Sequence, residues 1–312
     1  MTRVAAFDCG TNSLRLLIAD VEKGALADVV RTLQVVRLGE GVDRTGRFDD
    51  AALARTLEVT RHYAQTCREH GVERMRFVAT SATRDAANRQ EFIGSVRGIL
   101  GIEPEVISGT EEAQLSFLGA ASVLPASPGE QRLVVDLGGG STELVLGDTA
   151  PTAAYSMDVG CVRLTERWVR TDPPSENEVA GIRGDVEAAL DAAEGQIDLP
   201  AATDVIGVAG TVTTITAHAL RLTAYEPDVI NGSRLPLDAV LAACGELAAM
   251  PREERAALPF MHPGRVDVIA AGAVIWAAVL ERVAQAGALT TVTTSEHDIL
   301  DGIALQLGRR PA

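Results

Sequence analysis

Residues 8–20 (DCGTNSLRLLIAD) and 136–148 (DLGGGSTELVLGD) align without a gap at an offset of 128. Five of the 13 positions are identical, among them the flanking acid (Asp8, Asp136), the turn glycine (Gly10, Gly138) and the tip hydroxyl (Ser13, Ser141). Short apolar runs at 4–7 and 14–20 on either side of DCGTNS predict a β-hairpin with a polar tip, and 133–148 has the same form. A hairpin repeated at this distance points to an internal duplication and two similar domains. The 312 residues are enough for two modest cores. The division is expected in the Pro/Ser/Gly stretch at 124–131, giving domains 1–125 and 126–312.

Between and beyond the hairpins, strands and helices alternate. Asp49 or Asp50 caps a predicted helix with Leu53, Leu57, Thr60, Ala64 and Cys67 on one face, stopped by Gly71. Strands are predicted at 75–80, 105–108, 204–210 and 289–293, and helices at 87–100, 111–121, 211–220, 268–287 and 297–307. Ser175 and Glu178 read as a capping box for a helix ending near Gly195. The fold class is therefore α/β.

Composition excludes some functions. With 28 basic and 43 acidic residues the net charge is -15, which disfavours a nucleic acid duplex or an anionic membrane as partner. Any anion must be gripped locally. Only Lys23 is a lysine, which reads as compositional bias rather than selection of arginine for phosphate. The four cysteines are far apart, which suggests reduced thiols and a cytoplasmic setting. The N-terminus has no secretory pattern, and the apolar run 268–280 is short for a membrane span, so it reads as a core helix.

Three segments suit phosphate. Gly138, Gly139, Gly140, Ser141 and Thr142 offer consecutive backbone N–H groups that no Cβ shields. Alone, a triple glycine is more often a flexible turn, but Asp136 and Glu143 flank it with carboxylates that suit Mg²⁺. At GVAGTVTT a strand ends at Gly210 and a helix opens at Thr211, presenting free N–H groups to an anion. A plain cap explains that segment equally well.

DCGTNSLRLLIAD, ATSATRDAAN, VISGTEEAQLSFLGA, LVVDLGGGSTELVLG, VGCVRLTE and VAGTVTT occur in this order over positions 8–214. RVDVIAAGAVIW and SEHDILDGIA extend the pattern toward the C-terminus. Together they resemble the exopolyphosphatase and guanosine pentaphosphate phosphohydrolase family, in its short two-domain form. The resemblance implies duplicated domains of the actin, Hsp70 and sugar-kinase type, ribonuclease H-like, facing across a cleft. It implies hydrolysis of a terminal phosphoanhydride with Mg²⁺, and leaves open a monovalent cation, a homodimeric assembly, and the choice between inorganic polyphosphate and guanosine pentaphosphate. The second Glu of the SGTEE segment, Glu112, matches the family's catalytic base. Asp136 and Glu143 match its metal-site acids, with Asp8 as the duplicate partner of Asp136. Arg84 matches a cleft arginine. Asn12, Ser13, Gly139, Gly140, Ser141, Gly210 and Thr211 complete the phosphate binders. Without the family context, Glu111 and Glu112 read as acids complementing a helix dipole.

Competing readings are a sugar or acetate kinase, whose acceptor-binding insertion or zinc motif is not seen, and a polyphosphate- or nucleotide-binding sensor, against which the retained acids argue. The five histidines read as solvated or capping. Asp301 stands where relatives often carry a basic residue, which puts a substrate contact from that turn in doubt.

Overall fold

In the computed structural model, which describes residues 2–124, 130–287 and 289–309, β1 (Thr2–Cys9) and β2 (Ser13–Glu22) form the first expected hairpin. A third strand, β3 (Ala25–Val35), continues the antiparallel meander. The chain then passes α1 (Val42–Thr45), α2 (Asp50–Glu69), β4 (Arg74–Ala79), α3 (Ser81–Asp85), α4 (Arg89–Leu100), β5 (Glu105–Val106) and α5 (Gly109–Ala121). The strand order is β3-β2-β1-β4-β5, with β4 parallel to β1 and β5 parallel to β4. α2 starts where the sequence places it: the Asp49 side chain accepts from the N–H groups of Ala51 and Ala52, and Leu53, Thr56, Thr60, Ala64 and Cys67 form its buried stripe.

The second unit repeats this plan. β6 (Arg132–Leu137), β7 (Thr142–Gly147) and β8 (Pro151–Met157) form an antiparallel meander, followed by α6 (Cys161–Trp168) and α7 (Glu176–Glu194). Next come β9 (Asp204–Val208), α8 (Ala209–Ala219), α9 (Pro227–Ile230), β10 (Arg234–Pro236), α10 (Leu237–Ala249), α11 (Arg252–Ala257), α12 (Ile269–Ala286) and β11 (Thr291–Thr294). The order β10-β11-β9-β6-β7-β8 maps strand for strand onto the first sheet, with β10 added at the edge. Registers match at the same offset: Asp8 opposes Arg15, and Asp136 opposes Glu143. The duplication visible in 13 residues thus extends to a whole five-strand core.

The capping box predicted at Ser175 and Glu178 is formed, and α7 buries Ile182, Val186, Leu190 and Ala193. α12 is long and apolar enough to cross a membrane by length and composition, but 72% of it is buried inside the protein. It forms the centre of the second core with Trp276.

The chain ends on α13 (Ile299–Arg309), and here the expected domain boundary needs correction. The units are Met1–Gly119 with Ile299–Ala312, and Ala120–Asp298, rather than 1–125 and 126–312. The reason lies in the alternation of β1: Ala5, Phe7 and Cys9 face a core shared with α2 and α4, while Val4 and Ala6 face the other side. That second face is covered by Ile299, Leu300, Ile303, Ala304 and Leu307 of α13. Residues 125–129 of the expected linker lie outside the described residues.

Candidate active site

In the first unit, the C-terminal ends of the parallel strands β1, β4 and β5 bring chemistry together, as is usual for open α/β sheets. Glu112 projects from the first turn of α5, just after β5, and is 8% exposed. Its Oε2 accepts from Nη1 of Arg84 at 2.7 Å, and the same Nη1 donates to the carbonyl of Ile107. Burial raises the Glu112 carboxyl to about 7. The Arg84 charge and hydrogen bond pull the other way, the Asp8 charge pushes further up, and a Thr80 hydroxyl bond lowers it. A carboxylate held near neutrality is suited to take a proton from water. If it does, kcat/KM falls about tenfold for each pH unit below this value, because the protonated carboxyl is no base. A pH–rate profile with its acid limb near pH 4 to 5 would contradict the upward shift.

The two hairpin tips are built alike. Gly10 N–H donates to Ser13 O, and Gly138 N–H to Ser141 O, both at 3.0 Å. The carbonyls of Thr11 and Asn12 accept from the backbone at residues 36–39. Those of Gly138 and Gly139 accept from the first N–H groups of α6, and Gly140 O accepts from Arg163 Nε at 2.7 Å. The carbonyls of the second tip are thus occupied, and the N–H groups of Gly139, Gly140 and Ser141 pair with no backbone carbonyl among the described residues. Gly160 makes this possible. A Cβ there would lie 2.5 Å from the carbonyl carbon and oxygen of Gly139. Gly160→Ala is therefore expected to push the loop off its position and raise KM for a phosphate substrate about tenfold, which steady-state kinetics would measure.

Asp136 and Glu143 are directly opposed on β6 and β7, both buried, so their carboxylates share one face of the sheet. Glu143 Oε1 accepts from Ser156 at 2.6 Å. The equivalent positions of the first unit carry Asp8 and Arg15, an ion pair at 2.7 Å. Where one copy contains its own cation, the other has a second acid, and two hard carboxylates suit a divalent ion that also binds phosphate. Among the described residues, no group of three or more His, Cys, Asp or Glu side chains is arranged to hold a metal. Asp8 belongs to the first unit, where Arg15 engages it.

Gly210 and Thr211 lie at the start of α8, beside Ala209 with φ of 71°. The guanidinium of Arg265 covers Gly210 so closely that a Cβ would meet it at 2.3 Å. Arg265 also donates to Thr214 Oγ1 at 3.1 Å. Arg265 and Thr80 are additions that the sequence reading did not single out, although both fall in or beside quoted motifs.

Other expectations resolve as structure. Asp301 is fully buried and accepts from both Nη atoms of Arg31, tying α13 to β3. His218 is not solvated: it is buried, with Nε2 2.8 Å from Glu246 Oε2. His262 does cap, accepting from Gly264 N–H. All four cysteines are free and buried, and burial pushes the Cys67 thiol up to about 12.

Two α/β units, each with a glycine-containing hairpin turn and the strand order of β3-β2-β1-β4-β5 at its core, define an actin-like, sugar-kinase-like fold. The model of the Ppx/GppA phosphatase family matches residues 17–307, and the chain belongs to that family. It is 49% identical over 316 residues to "Exopolyphosphatase 2" of Mycobacterium tuberculosis, covering 98% of this chain and 99% of that protein. The crystal structure of an exopolyphosphatase from Cytophaga hutchinsonii superposes with a TM-score of 0.88 at 26% identity, covering 98% of each chain. The Aquifex aeolicus PPX-GPPA enzyme superposes with a TM-score of 0.80 at 31% identity, covering 98% of this chain and 99% of that one.

Proposed function

We propose that the protein is an exopolyphosphatase that hydrolyses the terminal phosphoanhydride bond of inorganic polyphosphate and releases orthophosphate. The observation that carries this reading is Glu112, a buried carboxylate at the start of α5 that accepts from Arg84 Nη1 at 2.7 Å, in a chain of this family. Glu112 accepts a proton as water forms a bond to the terminal phosphorus. The bridging oxygen leaves with the shortened chain. The N–H groups of Gly139, Gly140 and Ser141, and those opening α8 at Gly210 and Thr211, bind phosphate oxygens, with Arg265 adding a fixed positive charge. The hairpin tip at Asn12 and Ser13 serves the same end in the first unit.

Asp136 and Glu143 fit Mg²⁺ as a pair, because two buried carboxylates stand directly opposed on one face of the sheet. When bound there, Mg²⁺ supplies neutralisation of phosphate charge. Arg84, expected as a phosphate ligand, is assigned here to holding Glu112. The cytoplasm is the proposed compartment, in keeping with four free thiols.

Polyphosphate is favoured over guanosine pentaphosphate because selecting guanine needs a stacking face. Phe7 and Phe117 are buried, Phe7 against Phe77, and Tyr155 packs on the second core. The test is phosphate release from polyphosphate, guanosine pentaphosphate and ATP, with and without Mg²⁺, at matched ionic strength. Polyphosphate is expected to have the highest kcat/KM. Equal or higher kcat/KM on guanosine pentaphosphate would reassign the substrate, and no release from any of the three would leave a binding protein.

A further inference from the structure

Arg76 on β4 has a side chain only 2% exposed. Removing a guanidinium from water is costly unless its hydrogen bonds are replaced. Here they are replaced from three different elements. Nε and Nη2 donate to Glu105 Oε2 of β5 at 3.0 and 2.7 Å. Nη2 also donates to Glu111 Oε1 of α5 at 2.8 Å, and Nη1 to Gln306 Oε1 of α13 at 2.8 Å.

Glu111 directly precedes Glu112 in the first turn of α5. Successive side chains on a helix diverge by about 100°, so one turn presents Glu111 to Arg76 and Glu112 to Arg84. The turn is also held by Ser108, whose Oγ accepts from Glu111 N–H and whose carbonyl accepts from Glu112 N–H. α13 braces the same helix: a Cβ on Gly302 would come within 2.0 Å of Leu115 O, so the two backbones touch. Gln306 lies one turn further along α13.

We propose that Arg76, acting through Glu111, is a positioning residue for the Glu112 carboxylate. Two arginines grip one helical turn, Arg84 on the base itself and Arg76 on its neighbour. The inference rests on the reading of Glu112 as the base. It assigns a task to Glu111, the other acid of the SGTEE segment, that helix-dipole compensation does not require.

The experiment compares Glu111→Ala, Glu111→Gln and Glu112→Gln in polyphosphate hydrolysis, assayed well below their melting temperatures. Small displacements of a reacting group lower turnover steeply, so Glu111→Ala is expected to lower kcat about tenfold with KM unchanged. Glu111→Gln keeps an Oε1 acceptor for Arg76 and should recover most of that loss. If Glu111→Ala does not fold, Gln306→Leu tests the clamp from its α13 side and should also lower kcat at constant KM. Wild-type kcat in Glu111→Ala, or in Gln306→Leu where that variant is the one read, beside an inactive Glu112→Gln, would overturn this inference and leave the base in place. Wild-type kcat in Glu112→Gln would overturn the base assignment itself.

Discussion

Glu112→Gln is expected to cut turnover on polyphosphate at least ~100-fold while KM changes little, since general-base catalysis contributes roughly 10²–10⁴ and an amide cannot take the proton of the attacking water. The fold should tolerate the change. Burial shifts the carboxyl upward and so favours its neutral form, of which Gln is an isostere. An amide oxygen still accepts from Arg84 Nη1, keeping the bond to α3. Loss of activity should therefore come without loss of melting temperature. Turnover unchanged in a folded Glu112→Gln protein would remove this residue from the chemistry.

How far this site was legible in the sequence depended on whether its geometry is local. The hairpin tips were readable because a tight turn demands glycine and a polar tip at fixed spacing, and the same spacing recurred at 128. The α2 and α7 caps were readable because Asp49 and Ser175 bond within their own first turns. β3 and β8 were not placed: they are outer strands of their meanders, and their mixed faces lack clean alternation. α13 could not be assigned to its unit, because its apolar stripe only says that some sheet face lies beneath it. Arg76 and Arg265 were hidden for a related reason. Gln306 is 230 residues from Arg76 in sequence, and nothing around Gly210 announces the guanidinium that covers it. Glu112 itself was readable through family resemblance alone; its burial and its Arg84 partner belong to tertiary structure.

The opposed acids of the second unit give the other large expected effect. Asp136→Asn and Glu143→Gln should each raise the Mg²⁺ concentration needed for half-maximal activity by about tenfold or more, because each removes one of two hard anionic ligands. The substitutions are close to isosteric, and the amide in Glu143→Gln still offers an oxygen to Ser156. Melting temperature in the absence of metal is therefore expected to hold, while the metal requirement worsens. That opposition separates a metal site from a structural one, since a pair retained for folding would lose melting temperature on substitution. The first unit supplies a comparison: Asp8 has Arg15 as its counter-charge, so Arg15→Gln should lower the melting temperature. Mg²⁺ titrations and melting curves of the three variants would decide the matter. An unshifted Mg²⁺ midpoint in both Asp136→Asn and Glu143→Gln would mean that the acids serve the fold.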